Sequence, residues 1–194
     1  MPVICIFGDS TAWGAWDKED GGWVNRLWLE QAASGGKSCI YNLSISGGTT
    51  ETILERFERE AKIREADILI FQTGGNDAAY DKDIKEHLVS PDKFEKNIQE
   101  IIDCAKKLVK NIVFVGFNNC DESKTTPVSW CNLCYTNDFT QKYNGIIKNL
   151  CDKNAVNFID IFGLLQNTDL EDGLHPNAAG HKKIFAAVKD SLKK

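Results

Sequence analysis

The run VICIF at residues 3–7 breaks at once into Gly8-Asp9-Ser10, so that residues 3–10 read VICIFGDS. Unbroken apolar residues, without alternation, are the pattern of a strand buried on both faces, as in a parallel sheet. Ser10 follows where such a strand leaves the sheet. A serine there can be a nucleophile, a helix cap or a turn residue, and the remaining sequence has to decide. Four further β-rich runs are expected, at 38–43, 67–72, 112–117 and 156–161. Segments of helical period lie between them. One presents Ile53, Leu54, Phe57 and Ala61 on a single face, and the next opens Ser90-Pro91 and repeats with Phe94, Ile98, Ile101 and Ala105. Proline at a first helical position is harmless, because the N–H it lacks has no partner there. A fourth helix is expected over about 139–152 and a last one from Pro176. Strand-helix alternation at this spacing predicts β-α-β units with right-handed crossovers. The result is an α/β sheet with helices on both faces.

The totals narrow the function. At 194 residues, without repeats or low-complexity stretches, residues 1–194 read as one domain. A net charge of −5 speaks against nucleic acid or an anionic membrane as the main partner. No long apolar span or basic leader is present, which places the expected protein in the cytoplasm, without stable membrane association. Seven cysteines are an odd number, and several lie in apolar stretches where a thiol behaves as a small hydrophobe. Cys131 and Cys134 alone have metal-ligand spacing. With Cys120 and Cys151 they could form a four-thiolate zinc site, but one C-x-x-C without a second favours loop thiols and no metal. The connection from 118 to 137, holding Pro127 and Trp130, is long enough to be a lid or binding loop.

Ligands in such sheets sit beyond the carboxyl ends of the strands. There the sequence places Gly8-Asp9-Ser10, then Ser46-Gly47-Gly48, then Gly74-Gly75-Asn76-Asp77, and finally Asp172-Gly-Leu-His175-Pro176. A serine needs a base, and the base needs an acceptor on its other nitrogen. Of the three histidines, His87 lies in a polar stretch and reads as a solvated surface residue. His181, inside the last helix, reads as structural. His175 follows Asp172 by three residues, so Asp172 can fold back onto Nδ1 and leave Nε2 to face a serine. A helix cap explains D-x-x-H-P equally well by itself. The N–H of Ser10, the N–H of Gly47 and the amide of Asn76 are candidate donors to an oxyanion. Each glycine-rich stretch is also an ordinary turn. Asp9 reads as an anchor of its turn. Trp13, Trp16, Trp23 and Trp130 are candidate walls of an acyl or sugar pocket, or core aromatics.

Taken together, "FGDS", "NLSISGGTT", "GGND" and "DGLHPNAAGH" resemble the SGNH hydrolases, also called GDSL esterases/lipases, over nearly the whole chain. The resemblance implies a flavodoxin-like three-layer α/β/α sandwich with a five-stranded parallel sheet, and a cofactor-free serine hydrolase. It makes Ser10 the nucleophile and an oxyanion donor, Gly47 and Asn76 the other donors, His175 the base and Asp172 its orienting acid. Thr11 stands where many members carry Leu or Ile, which alters the pocket nearby. The family offers no role for the 118–137 segment.

The expected function is hydrolysis of small-molecule carboxylic esters through an acyl-serine, with short acyl groups such as acetyl on sugars or metabolites. Trp13, Trp16 and Trp130 are the expected substrate contacts. A silent acyl- or carbohydrate-binding module, a lysophospholipase or a thioesterase would share the fold. A metal site of Asp9, Asp77, Asp172 and His175 would leave Ser10 and Asn76 without a role. An FMN carrier would want a hydroxyl-rich loop after the first strand, and a phospho-receiver an aspartate after the third.

Overall fold

The apolar runs pair side by side in one parallel sheet, seen here in a computed structural model that describes residues 1–192. Its strands are β1 (Val3–Gly8), β2 (Cys39–Asn42), β3 (Ile68–Gln72), β4 (Asn111–Val115) and β5 (Asn157–Ile159), in the order β2-β1-β3-β4-β5. This is a flavodoxin-like three-layer α/β/α sandwich, and the order reverses between β1 and β3. Successive side chains of β1 alternate between two cores. Cys5 and Phe7 join Leu69, Phe71, Ile112 and Phe114 on one face, whereas Ile4 and Ile6 join Ile70, Val113 and Val115 on the other. Both faces are covered, which is why the runs read as continuously apolar.

Phe7, Phe71 and Phe114 stand opposite one another across the ladder. Phe7 and Phe71 stack at 5.8 Å between centroids, and Phe71 and Phe114 at 5.1 Å. Burying each ring contributes roughly 2–3 kcal/mol before any stacking is counted. That face is covered by α3 (Thr50–Leu54), α4 (Phe57–Ile63), α5 (Pro91–Leu108) and α6 (Asn137–Asn154). The opposite face is covered by α2 (Trp23–Ala33) and α7 (Ala178–Ser191), through Trp23, Val24, Leu27, Ile184 and Val188.

Three expectations need correction. The segment read as one helix around Ile53 and Ala61 is two, α3 and α4. Arg56 leaves the helical region at φ −137° and lays its guanidinium over the Phe7 ring at 5.4 Å. The last helix starts at Ala178, two residues later than expected. Asn177 caps it by accepting the N–H groups of Ala179 and Gly180, while Pro176 pairs with Leu170 in a β-bridge. The 118–137 segment is not a plain loop. It holds a short helix, Glu122–Thr125, and a short strand, Leu133–Cys134, which pairs antiparallel with Tyr80–Asp81; Tyr80–Asp81 pairs in turn with Glu86–His87. Cys120, Thr125 and Val128 are buried beneath it. Among the described residues no helix is long and apolar enough to cross a membrane.

Candidate active site

Gly8 ends β1 where a side chain would not fit. A Cβ there would lie 2.6 Å from both the Ala12 Cβ and the Gln72 carbonyl oxygen, so glycine lets the strand turn directly into α1 (Ser10–Trp13). Asp9 caps α1 by accepting the Thr11 N–H at 2.9 Å. Ser10 therefore occupies the first helical position, where its N–H has no intrahelical acceptor. It is buried, with 8% of its surface exposed.

Ser10 Oγ lies 2.9 Å from His175 Nε2, and His175 Nδ1 lies 2.7 Å from Asp172 Oδ2. The other carboxylate oxygen, Oδ1, accepts the N–H groups of Leu174 and His175 at 2.9 and 2.8 Å. An ionised carboxylate can only accept, which assigns the ring proton to Nδ1 and leaves Nε2 to accept from the serine hydroxyl. Burial pushes the Asp172 carboxyl upward, but the donors from the His175 ring and the backbone outweigh it. The group sits well below the usual carboxylate range. Asp9 goes the other way, as burial raises it to about 6 despite the Thr11 N–H and the nearby His175.

Across the site, Asn76 is held from two sides. Its Nδ2 donates to the Gly48 carbonyl at 3.0 Å, and its Oδ1 accepts the Tyr135 hydroxyl at 3.1 Å. One amide hydrogen remains for a ligand. Asp77, next in sequence, accepts the N–H of Thr50 at 3.1 Å and also its hydroxyl. This ties the turn after β2 to the turn after β3. Ser10, Asn76, His175, Tyr135, Phe117 and Leu174 are among the groups enclosing a cavity of about 40 Å³. Gly47 stands outside that lining, in a left-handed turn at φ +77° where glycine is at ease.

The tryptophans divide. Trp16 meets His175 edge-on at 6.3 Å and Trp130 lies over it at 5.9 Å, near parallel; both are about half exposed. Trp13 instead lines a separate open groove with Trp28, Asn25 and Asn42. Trp23 cannot wall a pocket, because it is fully buried and its Nε1 donates to Gln72 Oε1 at 2.7 Å. His181 is a buried structural residue: the Trp23 N–H donates to its Nδ1, so Nε2–H donates to the Ala15 carbonyl at 2.9 Å. His87 is not a solvated surface residue. Its Nδ1 lies 2.9 Å from the Ala78 carbonyl, and its ring packs on Tyr80, Phe139 and Tyr143. Among the described residues no three His, Cys, Asp or Glu side chains converge as a metal site. Two residues near the cavity carried no recognisable signal. Tyr135 follows the C-x-x-C pair in a segment without periodicity, and Asn118, which donates to the Leu174 carbonyl at 3.3 Å, sits in an ordinary strand-end turn.

Similar folds are known. An alpha/beta hydrolase enzyme from the metagenome of Lake Arreo, Spain, superposes with a TM-score of 0.79 at 18% identity, covering 99% of this chain and 95% of that one. An acetylxylan esterase from Geobacillus stearothermophilus superposes with a TM-score of 0.79 at 21% identity, covering 100% and 94%. Catalytic mutants of that esterase are altered at a serine, an aspartate, and a histidine three positions after the aspartate. A search of curated proteins found no significant match. The GDSL-like lipase/acylhydrolase family model matches residues 6–183, a span that starts inside β1 and ends inside α7 and so takes in every strand end around Ser10. The chain belongs to that family.

Proposed function

We propose that the protein is a serine esterase that removes acetyl groups from small hydroxylated molecules, sugars foremost. The observation that carries the reading is the continuous relay from Ser10 Oγ to His175 to Asp172, at 2.9 and 2.7 Å. His175 Nε2 takes the Ser10 proton as Oγ attacks the ester carbonyl, and Asp172 stabilises the imidazolium that forms. The Ser10 N–H and the spare Asn76 hydrogen, both on the cavity, are the donors to the developing oxyanion, and the Gly47 N–H, outside the lining, is assigned as a third. His175 then returns the proton to the departing alcohol. In the second half a water, deprotonated by His175, attacks the acyl-serine carbonyl, the acyl–Oγ bond breaks to release the acid, and His175 returns the proton to Ser10 Oγ.

The cavity size favours acetyl. A water-sized group needs about 10–15 Å³, so about 40 Å³ beside Ser10 has room for roughly the three heavy atoms of an acetyl, which supports a short acyl group. The departing oxygen must approach His175, where Trp16 and Trp130 present about half of their surfaces. Indole faces suit the C–H face of a sugar ring. The acetylxylan esterase with the same fold, and the aspartate-to-histidine spacing in its catalytic mutants, support the same assignment. Seven thiols without a disulfide fit a reducing compartment, and we place the enzyme in the cytoplasm.

A fluorophosphonate probe should label Ser10, as mapped by mass spectrometry, and Ser10→Ala should abolish labelling. With p-nitrophenyl esters, kcat/KM should fall steadily from acetate to octanoate and withstand excess chelator. An unlabelled Ser10, or a preference for octanoate, would overturn the assignment.

A further inference from the structure

The Asp172 carboxylate has a donor outside its own segment. Trp16 Nε1 donates to Asp172 Oδ2 at 2.9 Å, the same oxygen that accepts His175 Nδ1–H. With the Leu174 and His175 N–H groups on Oδ1, four donors surround this carboxylate. The Trp16 side chain is about half exposed, so burial does not explain its orientation. Its backbone does. Trp16 sits at φ +65°, a left-handed conformation that a bulky residue seldom adopts.

Anchors on either side impose that conformation. Before it, the Ala15 carbonyl accepts His181 Nε2–H at 2.9 Å. After it, Asp17 is buried and accepts the N–H groups of Glu19, Asp20 and Gly22. Arg26 grips the same carboxylate with two prongs, Nε to Oδ2 at 3.0 Å and Nη2 to Oδ1 at 3.2 Å. An unfavourable backbone angle held by so many bonds, with an exposed ring at its tip, is built to aim that ring. The exposed pair Lys18–Glu171, at 2.6 Å, joins the same turn to the residue before Asp172.

We propose that Trp16 is a positioning residue of the esterase, whose indole N–H fixes the Asp172 carboxylate against His175. The proposal rests on the esterase reading above. Without that N–H, Oδ2 keeps only the His175 donor and the carboxylate gains freedom to turn. Its charge is then shared with one partner fewer, so it holds the proton on His175 more strongly.

Two variants test this. Trp16→Phe removes the donor and keeps an aromatic ring, and benzothienylalanine at position 16 keeps the bicyclic shape and replaces only the N–H. For both, kcat on p-nitrophenyl acetate should fall about tenfold with KM within twofold, the size expected for one hydrogen bond to a charged group. The acid limb of the kcat/KM profile should move to higher pH. A kcat within twofold of wild type and an unmoved limb for the benzothienylalanine protein would overturn the proposal, even if Trp16→Phe were to unfold. Wild-type protein that is not labelled at Ser10 would overturn the esterase reading, and this one with it. Labelled wild type beside an indifferent benzothienylalanine protein overturns the role of Trp16 alone.

Discussion

The polar side chains His175 and Asn76 beside Ser10 are each held by hydrogen bonds to other protein groups. Asn76 illustrates the economy of this. The Tyr135 hydroxyl on Oδ1 and the Gly48 carbonyl on Nδ2 leave its amide a single orientation and a single spare hydrogen. Burial pushes the Tyr135 phenol far above its usual range, so it remains a donor at any working pH. Asn76→Ala should lower kcat about a hundredfold, as for loss of one oxyanion donor. Tyr135→Phe should cost less, about fivefold, because the amide stays present but gains a second orientation. Steady-state kinetics on p-nitrophenyl acetate decide it. Equal kcat for Tyr135→Phe and wild type would mean that the Gly48 carbonyl orients Asn76 by itself.

Among the elements, β1 and α1 depend on each other through Gly8. Gly8→Ala would push its Cβ to 2.6 Å from Ala12 and from the Gln72 carbonyl, one of them rigid backbone in the neighbouring strand. The strand end and α1 must then separate, at a cost of about 1–3 kcal/mol, and Ser10 moves with α1. Thermal unfolding should drop by several degrees and fluorophosphonate labelling should slow; a variant that labels at the wild-type rate would show that the junction yields elsewhere. The strands themselves were legible because burial on both faces imposes unbroken apolar runs, and Ser90-Pro91 marked the start of α5 to the residue. Residues 50–63 misled because their apolar spacing stays helical through the break at Arg56. The small antiparallel sheet escaped notice since its strands are two residues long, too short for any period. Local spacing made Ser10, Asp172 and His175 candidates beside turn and cap readings, the resemblance of the four blocks singled them out, and the structure brings the three into one hydrogen-bonded chain. Tyr135 and the Trp16 contact with Asp172 could not be singled out, because they depend on side chains 59 and 156 residues from their partners.

For the molecule as a whole, building a polar site on a sheet covered on both faces means burying charge-capable groups, and this shapes its stability against pH. Burial raises Asp77 to about 6, against the donors from Thr50 and with Asp9 adding to the rise; Asp9 itself also stands at about 6. A carboxyl raised in the folded state binds its proton more tightly there than in the unfolded chain. Its stabilisation is full below the ordinary value of 3.8 and is lost as pH climbs through 6. A shift of that size corresponds to about 3 kcal/mol for one fully buried group. Two other sets act oppositely. Asp172, Asp17 and Asp169 are lowered and lose their contribution as pH falls below the usual carboxylate range. His181 is lowered by burial, so its share is lost as pH falls from 6.5. The wild-type slope between pH 4.5 and 7 is therefore a sum of opposed contributions, and a difference isolates one of them. Asp77→Asn keeps the shape and an oxygen acceptor for Thr50 but cannot ionise. Relative to wild type it should gain stability as pH rises from 4.5 to 7, by about 2 kcal/mol, or roughly 4–8 °C in midpoint for a domain of this size. Paired urea and thermal melts across that range measure it. Parallel curves for the two proteins would mean that Asp77 is already ionised at pH 4.5 and that the Thr50 donors outweigh its burial.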